Sequence, residues 1–333
     1  MILLGWLNTG SMITARSGHT ASVLANGKVL VTGGTNGFSS LNSAELYDLS
    51  TGIWTTTGSM NDARKAHTAS VLTNGKVLVT GGTGSSILSS AELYDPTTGT
   101  WTTTSSLNDA RDTHTASVLA NGKVLVTGGE NGVSSLTSTE LYDPSTGTWT
   151  TTGSMNDGRF DYQASVLTNG QVLVTGGYNG FNLVNSAELY DLSTGTWTFT
   201  GSMNNAAFFY AASVLTNGNV LVTGGWGNAG IQNSAELYDI STGIWTITGN
   251  MNNIRYTHTA SVLTNGKVLV TGGWDGMSYL NSAELYDPLT GTWTAIGTMN
   301  NERQTHTASV LTNGKVLVTG GSSSIVLQSS ELY

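Results

Sequence analysis

The chain has 333 residues, of which 43 are glycine and only 10% are charged, a composition typical of a turn-rich β protein rather than a helical or disordered one. Its 21 acidic residues outnumber 12 lysines and arginines, and the formal net charge of −9 argues against nucleic acid as a partner because it repels phosphates. The lack of cysteine excludes disulfides, thiolate metal sites and cysteine nucleophiles. Apolar runs are far shorter than the ~20 residues of a membrane helix, so no membrane insertion is expected.

Taken in chain order, the N-terminal third begins with short β-type runs separated by turn signals. The dipeptide Asn26–Gly27 between two such runs is the strongest short hairpin signal. The double glycine Gly33–Gly34 follows the second run of this hairpin and precedes a variable loop. The predicted strands are Ile2 to Leu7, His19 to Leu24, Lys28 to Thr32, Ser43 to Tyr47 and Ile53 to Thr57.

This pattern recurs along the rest of the chain, and three columns of residues agree on seven repeats. The columns are a double glycine, the tyrosine that ends each ELY, and a tryptophan in the fourth strand. The double glycines begin at Gly33, Gly81, Gly128, Gly176, Gly224, Gly272 and Gly320. The tryptophans are Trp6, Trp54, Trp101, Trp149, Trp197, Trp245 and Trp293.

In the first repeat, Gly34, Tyr47 and Trp54 stand as they do in the kelch repeat, which the chain resembles over its whole length. The resemblance implies an all-β, seven-bladed kelch β-propeller with four antiparallel strands per blade, stacked so that the blades bury each other's apolar faces. The N-terminal strand is expected to complete the last blade, so that removal of residues 1–10 would expose a sheet edge. The predicted blades span about 16–58, 64–105, 111–153, 159–201, 207–249, 255–297, and 303–333 plus 1–10.

An arginine recurs in six of the seven repeats, on a loop that the resemblance places near the mouth of the central channel. One interpretation is a ring of donors for carboxylates or other anions, and the resemblance implies partner recognition by such arginines in some kelch domains. The alternative, which we favour for most of them, is structural pairing with acids of the same loop or with a neighbouring blade. The arginines are Arg16, Arg64, Arg111, Arg159, Arg255 and Arg303, with Ala207 in the remaining repeat.

Histidine and glutamate form two further columns of titratable side chains. Five histidines recur in register, with Tyr162 and Tyr210 in the other two repeats. No metal is expected there, because the positions lie on separate blades without a carboxylate at ligand spacing, and we favour contacts between blades. One glutamate in every ELY likewise indicates a structural bond, since a catalytic site needs different groups converging at one point.

Two columns are expected on the face around the mouth of the channel, here called the loop face: the position after each arginine position and the position after each double glycine. Both columns turn aromatic in repeats 4, 5 and 6 only, which predicts a ligand site in that sector. Clustered aromatic faces suit sugar rings or apolar protein side chains because they provide large contact areas at little entropic cost. Packing of these rings on one another, or an oligomer contact, is the structural alternative. The predicted ligand-binding residues are Phe160, Tyr178, Phe208, Phe209, Trp226, Tyr256 and Trp274, together with Arg159 and Arg255.

The expected function is therefore non-catalytic binding of a protein or carbohydrate ligand by a monomer, without a cofactor. The resemblance extends to two kinds of enzyme. Galactose-oxidase-like enzymes need a tyrosine crosslinked to cysteine for their copper site, which this chain cannot form. A carbohydrate-active enzyme of the sugar mutarotase kind stays open as an alternative. So does a structural repeat scaffold, either excised from a larger surface protein or designed. Localisation is left open, with the cell surface or exterior favoured over the cytoplasm.

Overall fold

A computed structural model describes residues 5–333 and shows antiparallel β-strands throughout. This part of the chain contains no helix that is long and apolar enough to cross a membrane. Hydrogen bonding groups the strands into seven four-stranded sheets, here named blades 1 to 7, and one small three-stranded sheet beside blade 5. The prediction of an all-β propeller with four antiparallel strands per blade is confirmed by this architecture.

The strands of each blade are as follows. Blade 1 has β2 (Thr20–Val23), β3 (Val29–Thr32), β4 (Ala44–Asp48) and β5 (Ile53–Thr56), and blade 2 has β6 (Thr68–Val71), β7 (Val77–Thr80), β8 (Ala91–Asp95) and β9 (Thr100–Thr103). Blade 3 has β10 (Thr115–Val118), β11 (Val124–Thr127), β12 (Thr139–Asp143) and β13 (Thr148–Thr151), and blade 4 has β14 (Gln163–Val166), β15 (Val172–Thr175), β16 (Ala187–Asp191) and β17 (Thr196–Thr200). Blade 5 has β19 (Ala211–Val214), β20 (Val220–Thr223), β23 (Ala235–Asp239) and β24 (Ile244–Ile247), and the small sheet beside it has β18 (Ala207–Phe208), β21 (Trp226–Gly227) and β22 (Gly230–Ile231). Blade 6 has β25 (Thr259–Val262), β26 (Val268–Thr271), β27 (Ala283–Asp287) and β28 (Thr292–Ile296), and blade 7 has β29 (Thr307–Val310), β30 (Val316–Thr319), β31 (Ser330–Leu332) and β1 (Leu7–Asn8).

The blades form a closed ring. The first strand of each blade contacts the first strand of the next, and β29 of blade 7 contacts β2 of blade 1. The second strand of every blade reads VLVT and is buried along its whole length, because both faces of the sheet pack against neighbouring blades. The apolar core therefore lies between blades and repeats around the ring.

The double glycine marks a close approach between adjacent blades. The Gly34 N–H donates to the Arg64 carbonyl of the following repeat at 2.9 Å. A Cβ added at Gly33 would lie 2.5 Å from the same oxygen, and both glycines have positive φ, 61° and 88°. Only glycine satisfies both conditions, which explains why the pair recurs in every repeat.

The N-terminal segment completes blade 7 where it is described. Leu7 and Asn8 pair with Leu332 and Glu331. The Trp6 ring lies 5.2 Å from that of Tyr333, and its indole N–H donates to the Gly297 carbonyl at 2.8 Å. The strand predicted from Ile2 extends into residues 2–4, which lie outside the described residues.

Candidate functional site

The six arginines are buried, which corrects the prediction for Arg159 and Arg255. Both side chains are 0% exposed. The Arg159 guanidinium donates to the Gly176 carbonyl at 2.9 Å and to the Glu188 carboxylate at 2.9 Å. Arg255 makes the equivalent bonds to Gly272 at 2.6 Å and Glu284 at 2.8 Å. Neither guanidinium is available to a ligand on the loop face.

Each of these arginines joins the glutamate of its own blade, so the two columns form one structural network. Glu284 also accepts hydrogen bonds from the Asn252 backbone N–H at 2.7 Å and from the Asn253 backbone N–H at 3.1 Å. Burial by itself raises the pKa of Glu284, but the hydrogen bonds from Asn252 and the bond and charge of Arg255 together hold that pKa below its usual value. The prediction of a structural bond for the glutamate column is confirmed by these contacts.

Blade 5 departs from this network because it has Ala207 in place of the arginine. Glu236 is still buried, but it accepts from the backbone and side-chain N–H groups of Asn204 and Asn205 at 2.8 to 2.9 Å. Gln232 accepts a hydrogen bond from Ser234, whose counterparts in the other blades contact the arginine. Amides therefore replace the guanidinium in this blade.

The histidines contact the adjacent blade, as predicted for this column. His67 of blade 2 lies 3.0 Å from Thr20 Oγ1 of blade 1, and Tyr210 of blade 5 reaches Thr175 of blade 4 in the same way at 2.6 Å. Burial, reinforced by a nearby arginine, lowers the pKa of His114 to about 3. Within residues 5–333 no group of three or more His, Asp or Glu side chains is arranged to hold a metal ion.

A ring of backbone hydrogen bonds surrounds the mouth of the channel. The residue two after each arginine position has positive φ, between 48° and 59°, including the bulky Phe209 at 53°. In this conformation six of these residues donate their backbone N–H to the equivalent carbonyl of the preceding blade, as Phe209 does to Asp161 at 3.3 Å. We name these seven residues the mouth ring: Gly18, Ala66, Thr113, Asp161, Phe209, Thr257 and Thr305.

The two variable columns lie beside the mouth ring and pair with each other. Phe160 and Tyr178 exchange backbone hydrogen bonds at 3.0 Å, and Tyr256 pairs with Trp274 in the same manner. In blade 5 the pair Phe208 and Trp226 belongs to the small sheet of β18, β21 and β22. Each blade thus presents one pair of side chains on the loop face.

The seven predicted aromatic residues form one continuous set of ring contacts, which we call the aromatic sector. Phe160 meets Tyr178 edge to face with ring centroids 5.5 Å apart, and Tyr178 lies 6.2 Å from Phe208. Phe208, Phe209 and Tyr256 continue the series at 4.7 and 6.1 Å. The remaining members, Trp226 and Trp274, each lie 5.6 Å from Tyr256. The structure therefore brings together residues that the sequence spreads over more than 100 positions.

An open groove of about 520 Å³ runs across the sector between blades 4 and 5. Phe160, Tyr178, Phe208 and Trp226 line it, together with Leu183, which sequence reasoning missed. Tyr279 was missed as well: it pairs with Trp274, and burial together with the proximity of Tyr279 raises the pKa of Tyr256. Both stand five residues after the aromatic residue that follows the double glycine, at a position that is not aromatic in the other repeats, so no aromatic column singles them out.

Three carboxylates, which we call the acidic trio, lie next to the sector. Asp112 and Glu130 are the column pair of blade 3 and exchange backbone bonds at 3.0 Å, while Asp161 is the mouth-ring residue of blade 4. Burial and the charges of Glu130 and Asp112 raise the pKa of Asp161 to about 7, and burial and Asp112 raise that of Glu130. Sequence reasoning did not group these residues because they belong to three different columns.

Comparison with known proteins agrees with this architecture. The Kelch motif matches residues 15–61, 64–108, 113–156, 159–204, 207–252 and 255–300. The chain belongs to the kelch-repeat family. None of the curated proteins matches the sequence of this kelch chain. Among solved structures it is similar to a fungal alcohol oxidase of the AA5 family in complex with copper, with a TM-score of 0.80 and 20% identity, over 98% of this chain and 75% of the other. At that identity the likeness concerns the fold.

Proposed function

We propose that this kelch propeller is a non-catalytic binding module that recognises a protein or carbohydrate ligand at the aromatic sector of blades 4 to 6. The observation that carries the proposal is the unbroken set of aromatic contacts beside an open groove of about 520 Å³. Trp226 is 39% exposed and Phe209 is 36% exposed, so both offer ring surface to a ligand.

A second groove in the same molecule has a similar volume but a different lining. Between blades 1 and 2 an opening of about 500 Å³ occupies the corresponding place, but its lining is mainly threonine, serine and glycine, with Phe38 as its single aromatic residue. A groove at this position is therefore a property of the repeat. What distinguishes blades 4 and 5 is the aromatic lining, which supports assigning recognition to that sector.

The test is a screen of the full chain against a glycan array and a peptide library, followed by titration of any ligand found. Replacement of Trp226 by alanine is expected to weaken binding by about ten- to a hundred-fold, as for a central aromatic contact. Phe38, which is 98% exposed on a loop of blade 1, is the matched control, and F38A is expected to bind like the unmodified chain. Unchanged affinity of a W226A/W274A variant would show that the ligand binds elsewhere.

The sugar mutarotase alternative gains support from one observation. Asp161 has a pKa of about 7 beside an aromatic groove, and a general acid or base works best when its pKa is near the operating pH. Anomer exchange of free sugars, followed by one-dimensional NMR, tests this alternative. Acceleration by the unmodified chain that is lost in D161N would support catalysis, whereas no acceleration would leave binding as the function.

A further inference from the structure

The loop face is chemically divided around the ring. The column pairs are Lys65 and Thr83 in blade 2, Asp112 and Glu130 in blade 3, and aromatic residues in blades 4, 5 and 6. The carboxylate pair therefore borders the aromatic sector directly. A side-chain hydrogen bond also links blades 3 and 4: the Ser135 hydroxyl donates to the Asn179 carbonyl at 2.9 Å.

The acidic trio lacks a cation of its own. None of the ion pairs found in residues 5–333 involves Asp112, Glu130 or Asp161. The arginines of the same loops are buried against glutamates instead. Like charges that share a partly buried site destabilise one another, so a positively charged group is the partner that would stabilise all three carboxylates.

Two buried oxygens at this place also lack donors. Asp112 is 8% exposed, and its Oδ1 has no hydrogen-bond partner in the described chain, although its other oxygen accepts from the Thr83 hydroxyl. Thr113 Oγ1 also has no hydrogen-bond partner in the described chain. Thr113 adjoins the trio, because its carbonyl accepts a hydrogen bond from the Asp161 N–H. Buried acceptors of this kind are costly unless a donor reaches them.

We propose that Asp112, Glu130 and Asp161 form the cation-binding end of the aromatic groove and hold a lysine or arginine side chain of a peptide whose apolar residues lie on the aromatic sector. This inference rests on the proposed binding function and gives its ligand a class, an apolar segment of a protein with a basic residue at one end. A guanidinium provides several donors for the carboxylates and also stacks on aromatic faces. A neutral glycan would leave the three charges uncompensated.

The test uses fluorescein-labelled heptapeptides with leucines in one half and either arginine or glutamine at the other end, and measures their anisotropy with the full chain. We expect the arginine peptide to bind at least ten-fold more tightly, and D112N/E130Q to remove that advantage while leaving the glutamine peptide unaffected. Asp95, on the opposite face at the hairpin end of blade 2, provides the matched control D95N, which removes one charge outside the site. Thermal melting checks that each variant is folded, and E130Q/D161N replaces D112N/E130Q if the buried Asp112 does not tolerate change.

The pH dependence provides a second measurement. Because the pKa of Asp161 is about 7 in the free protein and a cation favours the ionised form, affinity for the arginine peptide should rise several-fold from pH 6 to pH 8. The neighbouring titratable groups are Glu130 and Asp112, and D161N should flatten the profile.

The outcomes separate the two proposals. An arginine advantage that persists in both acidic-trio variants, or that D95N reduces equally, would overturn the cation site. If the glutamine peptide or chitohexaose binds through Trp226 without any arginine advantage, the groove proposal stands and the basic ligand is wrong. If neither the peptides nor chitohexaose binds, both proposals fail.

Discussion

Mild acid is predicted to unfold this propeller, because five buried histidines must gain protons when the ring opens. In the folded chain the pKa of His19, His114 and His258 is about 3, and that of His67 and His306 lies well below its usual value. Burial is the main cause, and neighbouring arginines add to it. In the unfolded chain each pKa returns to about 6.5. Stability from these neutral histidines is therefore complete above pH 6.5 and is lost as the pH falls toward 3.

The size of the effect follows from proton linkage. Between about pH 6 and pH 4, each histidine takes up about one proton on unfolding, which lowers the free energy of unfolding by about 1.4 kcal/mol per pH unit. The three histidines whose folded pKa is about 3 together contribute about 4 kcal/mol per pH unit, and His67 and His306 add to this. Asp161 opposes this with about one proton, because its folded pKa of about 7 lies above the unfolded value. The remaining slope of at least about 3 kcal/mol per pH unit lowers the free energy of unfolding by about 6 kcal/mol over two pH units, which is comparable to a typical folding free energy.

Urea unfolding at several pH values, followed by tryptophan fluorescence, measures this slope. The matched variant is H114Y, because the chain itself uses Tyr162 and Tyr210 at this position in blades 4 and 5. His114 contacts Thr68 and Thr80, and Tyr162 contacts the equivalent pair of threonines. We expect H114Y to reduce the slope by about one proton. A slope of fewer than two protons in the unmodified chain, or no change in H114Y, would refute the reasoning.

Three further predictions concern the buried networks and the closure of the ring. R255A should lower the free energy of unfolding by about 3 to 5 kcal/mol, because it leaves Glu284 charged and buried, and R255A/E284Q should lower it by less. Equal decreases for the two variants in urea titrations would contradict this. D161N should raise the free energy of unfolding, measured in urea, by about 1 to 3 kcal/mol at pH 8 and by less at pH 6, since the ionised carboxyl is the form that is unfavourable in the fold. W6A should lower the free energy of unfolding by about 3 to 5 kcal/mol, because it removes a buried ring that contacts Tyr333. A calorimetric melting temperature within 2 °C of that of the unmodified chain would show that Trp6 does not hold blade 7 closed.

The fold follows from the sequence because each repeated column satisfies a local geometric need. Gly33 and Gly34 recur because an added Cβ would meet the next repeat, and Asn26–Gly27 recurs because its glycine turns the hairpin with φ at 80°. Seven copies of each signal leave little freedom in the sheet topology. The aromatic sector was also predictable, since two columns change to aromatic residues in the same three repeats.

Arg159 and Arg255, which were assigned to the ligand site, show where reasoning from the sequence failed and why. Proximity to the mouth indicated exposure, yet the guanidinium of Arg159 turns inward to the Gly176 carbonyl and Glu188. The signal was present in the sequence: the glutamate column is invariant over seven repeats and needs a charged or backbone partner, and an arginine recurs in six. Joining the two columns required the distance across the blade, which spacing along the chain does not provide. The acidic trio was missed for the same reason.

Buried columns stay nearly constant and exposed columns vary for a physical reason, and this variation indicates where a ligand would be recognised. A buried arginine, glutamate or histidine meets the same partners in each blade, so most substitutions there leave an unpaired polar group and are costly. The pairs on the loop face have no partner that recurs in every blade, and they vary: the pair is Lys65 and Thr83 in blade 2, acidic in blade 3, aromatic in blades 4 to 6, and neutral and polar in blades 7 and 1. A ring built from equivalent blades therefore presents a face that is polarised along one arc. A ligand that matches this arc must itself have a direction, with its positive end over blade 3 and its apolar part over blades 4 to 6, and reversing the order of basic and apolar residues in a peptide should weaken its binding.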